Sequence, residues 1–302
     1  MAKAVTVKTI DELNKLAEQK PTLYTLVSVL DYPVFTLPKG HSCIKTDFYT
    51  VTFEKIKEEG PCHGCKCCDF RELALTFHVP GEMIKVRNDA FLVRIVAFHA
   101  DLFFGAKSRS RQPAHTFFRY NEDEALHISL REKQTLWSLL DNLCRELDYG
   151  TDIYSRQLLA SHICLFLDYC SRFYRRQFYL RADLSRKLIA RFDRWLDNYI
   201  LSVLPEKRRL PVSDEMAGML GMSLPYFTDM MQAETGSTLQ EHIRIRLIEA
   251  AKQRIAGKED FPGDIAAELG FSSMQSFNYV FRKLTGYTPK EYREKSADNY
   301  RN

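Results

Sequence analysis

The chain has 302 residues, of which 45% are hydrophobic, and a formal net charge of +4. This length allows two domains of ordinary size, each with a core of its own. The charge is too small to indicate nucleic-acid binding by itself, so such a function has to rest on the positions of particular residues. The N-terminus lacks the apolar core of a signal peptide, and no segment reaches the roughly 18 apolar residues of a membrane span. We therefore expect a cytoplasmic protein that has no membrane partner, with its eight cysteines as reduced thiols.

The first hundred residues favour β-strands, because they contain segments rich in Val, Thr, Phe and Tyr between about Leu23 and Ile95. Turn residues separate these segments, and short strands at such spacing predict a small barrel or sandwich. Thr9 and Glu12 form a capping box, which predicts a helix ahead of the strands. The strand segments are TLYTLVSV, DFYTVTFEKI, LALTFHV and FLVRIVAF.

The middle of the chain predicts a helical hairpin. Ser129 and Glu132 form a second capping box before a helix with leucines on one face, and a second arm runs from Asp152 to about Tyr174. Its apolar faces either cover the strands or form a dimer interface, and both are compatible with the pattern. A further helix is expected from Leu184 to about Leu201. We place one domain at 1–178 and the other at 183–302.

An internal repeat occupies the last third of the chain. AGMLGMS at 217–223 returns as AAELGFS at 266–272, an offset of 49 residues. In both copies a small residue allows two helices to approach closely, a leucine fills the core, and Gly221 or Gly270 supplies the positive φ of a tight turn. The repeat predicts two helix-turn-helix units, at about 211–236 and 261–286.

Beyond each turn the offset becomes 50, which pairs Phe227 with Phe277 and Met231 with Phe281. A spacing of four residues buries one helix face and turns the intervening residues outward. A long amphipathic helix is predicted from Thr238 to about Ile255, and it is expected to hold the two outward faces at a fixed separation. Its apolar face consists of Leu239, Ile243, Leu247 and Ala250. If that separation is about 34 Å, both helices can enter successive major grooves of one duplex.

The outward residues differ in chemistry between the two units. Gln275 and Asn278 can pair with adenine and Arg282 with guanine, whereas Asp229 in the first unit repels phosphates. We therefore expect the second helix to dominate specificity. Ser213, Ser223 and Ser272 are expected to precede helix starts, where they can cap exposed amides and contact phosphates. A basic side chain can contact phosphates as well. The candidate phosphate-contacting or positioning residues are Ser213, Ser223, Ser272, Ser273 and Lys283.

Residues from about Leu210 to Arg293, with the motifs SDEMAGMLGMSLPYF, HIRIRLIEAAKQRI and DIAAELGFSSMQSFNYVFRKLTGYTPKEYR, resemble the AraC family of bacterial transcription regulators. The resemblance implies a seven-helix domain with two helix-turn-helix motifs joined by a long helix. Basic residues are frequent in the family where this chain has Asp229 and Tyr279. The family's base-contacting positions correspond to Pro225, Thr228, Asp229, Met274, Gln275, Asn278 and Tyr279.

The resemblance also implies a cupin-like N-terminal barrel that is used for effector sensing or dimerisation. The whole chain is then an α+β protein of two domains: a cupin-like small β-barrel with a helical hairpin, and an all-α DNA-binding domain. The expected partners are double-stranded promoter DNA, a small-molecule effector, a second copy of the chain, and RNA polymerase if the protein is an activator. No enzymatic activity and no cofactor are expected.

The segment PCHGCKCC at 61–68 is the remaining place where chemistry is conceivable. Cys62 and Cys65 have the spacing of half a zinc site but lack a matching second pair. We interpret the cysteines as small apolar residues of a hairpin, with zinc binding or redox sensing as the alternative. A metal-binding cupin needs His-x-His near His41, where this chain has His41-Ser42-Cys43. The alternative function is a cupin-type metalloenzyme, or a metal or redox sensor, with an accessory DNA-binding module. His115 and His127 have no partner that spacing identifies.

Overall fold

The computed structural model describes residues 3–20, 22–56, 63–85, 92–103, 115–256 and 261–299, and side chains to residue 296. The chain divides into two compact units, Met1–Arg181 and Ala182–Asn302. The first is rich in strands, and the described part of the second is helical. The predicted α+β class with two domains is therefore confirmed. None of the described helices is long and apolar enough to cross a membrane.

The strands of the first unit form two sheets. One has five strands in the order β2-β7-β4-β5-β8, with antiparallel neighbours throughout. The other has the order β1-β3-β6, in which β1 is parallel to β3. The cupin-like resemblance of this unit stays a prediction. The strands are β1 (Lys3–Val7), β2 (Val27–Asp31), β3 (His41–Thr46), β4 (Tyr49–Glu54), β5 (Leu73–His78), β6 (Met83–Lys85), β7 (Leu92–Phe98) and β8 (Leu126–Ile128).

Both faces of the five-stranded sheet are buried. On one face Leu30 and Ile95 join a core cluster with Ile44 and Ile84 of the other sheet. Thr52 of β4 pairs with Ile95 and shares its face. Side chains alternate between faces along a strand, so Phe53 lies on the opposite face. There Phe53 packs against the helical hairpin described next.

Three helices complete the first unit: α1 (Ile10–Leu16), α2 (Leu130–Asp148) and α3 (Ser155–Leu180). Thr9 and Ser129 cap α1 and α2 through the amides of Glu12 and Glu132, as the sequence predicts. The rings of Trp137 on α2 and Phe166 on α3 lie 5.4 and 6.1 Å from the ring of Phe53, measured between centroids. The hairpin therefore covers the five-stranded sheet.

The second unit contains α4 (Ala182–Asn198), α5 (Leu204–Lys207), α6 (Ser213–Leu220), α7 (Leu224–Thr235), α8 (Leu239–Ala256), α9 (Pro262–Glu268), α10 (Met274–Thr285) and α11 (Pro289–Asn299). A π-helical turn at Tyr199–Val203 continues α4 into the short α5. Counting α4 and α5 together, the described helices make the seven that the resemblance implies.

The core of the second unit follows the repeat. Phe227, Met231, Phe277 and Phe281 are all fully buried, so each predicted apolar face points inward. Along α8 the predicted Leu239, Ile243 and Leu247 are buried too. At the next turn Ala251 is buried and the predicted Ala250 is only half-buried, because the inward face drifts by one position.

Candidate nucleic-acid interface

The two helix-turn-helix units are α6 with α7 and α9 with α10. Their turns contain Gly221 with φ +67° and Gly270 with φ +75°, in the left-handed region that favours glycine. Gly221 is followed after two residues by the N-cap of α7, and Gly270 after three by the N-cap of α10. The second turn is thus one residue longer, as the change of offset from 49 to 50 predicts.

Serine hydroxyls cap the second helix of each helix-turn-helix unit, α7 and α10, which we call the recognition helices. Ser223 Oγ accepts from the backbone amide of Tyr226 at 3.3 Å, and Ser273 Oγ accepts from that of Ser276 at 3.1 Å. The expectation that Ser272 caps the second helix is wrong, because the extra residue in the turn moves the cap to Ser273. Both serines are exposed beside the start of α10.

The start of α6 also differs from its prediction. Ser213 is the first residue of the helix and not its cap, and the preceding Val212 has no side-chain acceptor. The amide of Val212 instead donates to Glu215 Oε2 at 3.1 Å. Glu215 further accepts from Arg209 at 2.9 Å and Lys207 at 3.2 Å. The hydrogen bond of Arg209, then those of Val212 and Lys207, lower the pKa of Glu215 to about 2.

The outward face of α10 is open. Met274 is 40% exposed and Tyr279 is 68% exposed, and Gln275 and Arg282 are exposed as well, while Asn278 is half-buried. These five side chains occupy the helix surface away from the buried Phe277 and Phe281. Lys283 is also exposed, beside Arg282. The face carries amide, guanidinium and aromatic groups together, which suits contacts with base edges.

The corresponding face of α7 is less accessible. Pro225, Thr228 and Asp229 are all half-buried, whereas Gln232, further along the same helix, is exposed. The two recognition helices therefore differ in accessibility as well as in chemistry. This asymmetry agrees with the expectation that the second helix-turn-helix unit dominates specificity. That expectation stays a prediction.

Side-chain contacts fix the long helix α8, which lies between the two helix-turn-helix units in sequence. His242 Nε2 lies 2.6 Å from Asp193 Oδ1 of α4, and Arg246 Nε donates to Asp197 Oδ1 at 3.0 Å. At the other end of α8, Arg254 donates to Glu268 of α9 at 2.5 Å. Contacts at both ends restrain α8 against its neighbours, so it can keep the two helix-turn-helix units at one separation.

The cysteine segment belongs to the first unit. Cys62 lies outside the described residues. Cys67 and Cys68 lie in a turn, and Cys65 lies in irregular backbone, so none of these three is in a strand. Cys67 is exposed and the other two are half-buried. The interpretation of these thiols as buried apolar residues of a hairpin is therefore wrong for the three described cysteines, because the segment turns back on itself at the surface.

Comparisons with known proteins agree with the geometry of the second unit. A family model described as a helix-turn-helix domain matches residues 216–295. Regulatory protein SoxS of Escherichia coli K12 is 33% identical over 112 residues, which cover 36% of this chain and 96% of SoxS. The uncharacterized transcriptional regulatory protein YesN of Bacillus subtilis is 37% identical over 81 residues, which cover 26% of this chain.

Among solved structures, the C-terminal domain of the response regulator yesN from Fusobacterium nucleatum is similar over 33% of this chain and 95% of that domain. The identity is 25% and the TM-score 0.28.

Coverage differs among the relatives. The matched segment spans 22% of YesN of Bacillus subtilis and 38% of the probable transcriptional regulator LumQ of Photobacterium leiognathi, but nearly all of SoxS. These relatives are regulatory proteins and not enzymes, and they give no support to the alternative of a cupin-type metalloenzyme or sensor. A relative matched over almost its entire length at this identity establishes the family, and the chain belongs to the AraC family of transcription regulators.

Proposed function

We propose that this regulator binds promoter DNA by placing α7 and α10 in successive major grooves, with α10 making most of the base-specific contacts. The observation that carries the proposal is the outward face of α10, where Gln275, Asn278 and Arg282 lie on the side of the helix opposite the buried Phe277. Glutamine and asparagine pair with adenine, and arginine pairs with guanine, through two hydrogen bonds each. Met274 and Tyr279 add apolar contact area.

In this proposal the first helix-turn-helix unit, α6 with α7, contributes to positioning on the duplex more than to sequence specificity. Pro225, Thr228 and Asp229 are half-buried, and a carboxylate near the duplex is repelled by phosphates. Asp229 can still accept a hydrogen bond from a cytosine amino group. The capping serines Ser223 and Ser273, together with Ser213, Ser272 and Lys283, contact the phosphate backbone and set the register.

Selection of bound sequences from a random pool of duplexes tests this function. We expect one preferred operator, and Gln275→Ala, Asn278→Ala and Arg282→Ala each to weaken binding to it by about 1–3 kcal/mol. Gln253→Ala is the matched control, because Gln253 is an exposed glutamine of α8 outside the recognition helices. Equal affinity of the wild-type protein for selected and random duplexes at one salt concentration would exclude sequence-specific binding.

The strand-rich unit supplies control, through a small-molecule effector or through dimerisation, in a cytoplasmic protein. Exposed apolar side chains on and just before α3 support dimerisation: Leu158 and Leu165 are each 44% exposed, and Ile153 is 88% exposed. If the protein is an activator, RNA polymerase is a further partner. Light scattering of the full chain tests the dimer, which Leu158→Glu with Leu165→Glu should dissociate. Ser42→Glu, at an exposed serine of β3 and away from this helix, is the control. A wild-type monomer at high concentration would contradict dimerisation.

A further inference from the structure

Three potential metal ligands meet in the first unit, at a place that sequence spacing does not identify. Cys65 and Asp69 lie in the cysteine segment, and His127 lies on β8. One ligand atom from each side chain lies within 4.8 Å of the other two. The side chains of Asp69 and His127 are completely buried, and Cys65 is half-buried. The cluster is thus open on the side of the thiol.

The separations are close to those that a zinc ion imposes. Zinc bonds of about 2.0 to 2.3 Å in a tetrahedron place ligand atoms roughly 3.3 to 3.7 Å apart. His127 Nδ1 and Asp69 Oδ2 are 3.9 Å apart. Cys65 lies outside the helices, strands and turns, and its sulfur is within 4.8 Å of the other two ligand atoms. Thiolate, imidazole and carboxylate are the three ligand types that zinc takes in proteins.

Backbone hydrogen bonds hold the two buried ligands in place. The amide of Lys66 donates to Asp69 Oδ2 at 2.6 Å, and the amide of His127 donates to the side chain of Gln177 at 2.8 Å. Arg181 Nη2 lies 3.5 Å from His127 Nδ1, the ring nitrogen that also lies beside Asp69. A neutral imidazole is the form that binds a metal, so binding requires His127 without its second proton.

A cationic side chain already shares the cluster. Arg181 donates from Nε to Asp69 Oδ1 at 2.9 Å and from Nη2 to Oδ2. A metal ion at the cluster therefore has to compete with the guanidinium of Arg181 for the carboxylate of Asp69.

We propose that Cys65, Asp69 and His127 bind a thiophilic divalent cation of the zinc type, in competition with Arg181 for the carboxylate of Asp69. Binding releases the thiol proton of Cys65 and exchanges one cation for another at Asp69. Arg181 is the last residue of the first unit, and Ala182 after it begins α4. The exchange therefore changes the hydrogen bonds of the residue that joins the two units in the chain.

Titration of tag-free, metal-free full-length protein with Co²⁺ tests the site, because a cobalt–thiolate bond gives a charge-transfer absorption band. We expect the band to saturate at a single equivalent and to disappear when Zn²⁺ is added. Cys65→Ser should abolish the band and weaken binding by roughly tenfold or more. Cys67→Ser is the matched control, since Cys67 is an exposed thiol two residues away, and it should leave the titration unchanged. Circular dichroism shows whether both variants are folded.

A second variant tests the competition. Arg181→Lys keeps the positive charge but cannot form the two-pronged contact with Asp69, so it should bind Co²⁺ more tightly than the wild-type protein. Unchanged or weaker binding in Arg181→Lys contradicts the competition. Absence of the band in the wild-type protein, or an equal band in Cys65→Ser and Cys67→Ser, overturns the site itself. These results are independent of DNA binding, so they leave the proposed regulator function to its own test.

Discussion

The hydroxyl of Ser273 accepts a hydrogen bond of 3.1 Å from the backbone amide of Ser276 and so caps the start of α10. A helix leaves its first four amides without partners inside the helix, and this bond satisfies one of them. The same contact between Ser223 and Tyr226 caps α7. The caps fix where each recognition helix begins, and with it the direction of the outward side chains.

We expect Ser273→Ala to destabilise the protein by about 1 kcal/mol, because it removes this cap. Ser272→Ala is the matched control, since the two serines are neighbours and both exposed. Its free energy of unfolding should stay within about 0.5 kcal/mol of the wild-type value. Urea unfolding followed by circular dichroism measures both variants. A larger loss in Ser272→Ala than in Ser273→Ala would show that the cap is assigned to the wrong serine.

The two faces of α10 should respond differently to truncation. Phe277 is fully buried, with its ring 5.6 Å from that of Phe281, so Phe277→Ala should cost about 3–5 kcal/mol of stability. Tyr279→Ala removes a ring that is 68% exposed and should change stability by less than about 0.5 kcal/mol. We expect Tyr279→Ala to lower affinity for the selected operator in a folded protein. Similar losses of stability in both variants would contradict the assignment of the outward face.

Glu215 should make the stability of the second unit depend on acid. Its pKa of about 2 in the folded protein lies below the ordinary value of 4.5. The contribution is therefore complete above about pH 4.5 and is lost as the pH falls towards 2. The difference in unfolding free energy between the wild-type protein and Glu215→Gln should shrink over that range. Glu206→Gln, at an exposed position in α5, is the control. A difference in unfolding free energy between the wild-type protein and Glu215→Gln that does not vary with pH would contradict the contacts described for the Glu215 carboxylate.

The features that follow from local pattern were predictable from the sequence. Repeated glycines indicate both turns, and large apolar residues four apart, Phe227 with Met231 and Phe277 with Phe281, indicate the buried faces. The cap of α10 was misplaced because Ser272 and Ser273 are adjacent and both suit the role, so the longer turn alone decides between them. The half-burial of Thr228 and Asp229 depends on packing between helices, which periodicity does not describe.

Contacts between distant residues carried no sequence signal at all. Asp69 and Arg181 are 112 residues apart, and the position of His127 beside them depends on the pairing of β8 with β5. Local spacing relates only residues that are close in sequence, so it indicates half a zinc site at Cys62 and Cys65 and no more. The sequence could not show that Cys65 lies near a buried carboxylate and a buried imidazole.

Lys283 and Arg282 should separate affinity from specificity. A phosphate contact adds about one unit to the slope of the logarithm of affinity against the logarithm of salt concentration, whatever the sequence bound. Lys283→Gln should therefore lower that slope by about one on selected and random duplexes alike. Arg282→Ala should weaken the selected duplex more than the random one. Lys290→Gln, at an exposed lysine of α11, is the control, and an unchanged slope in Lys283→Gln would remove this phosphate contact from the account.

Hydroxyl-radical and methylation-protection footprinting of the selected operator tests the central claim most directly. We expect two protected major-groove segments on one face of the duplex, about 34 Å or one helical turn apart. Gln275→Ala should lose protection of bases in one segment, and Thr228→Ala should change the other segment less. Protection of a single major groove, unchanged by variants of α7, would show that the two helices do not bind the duplex together.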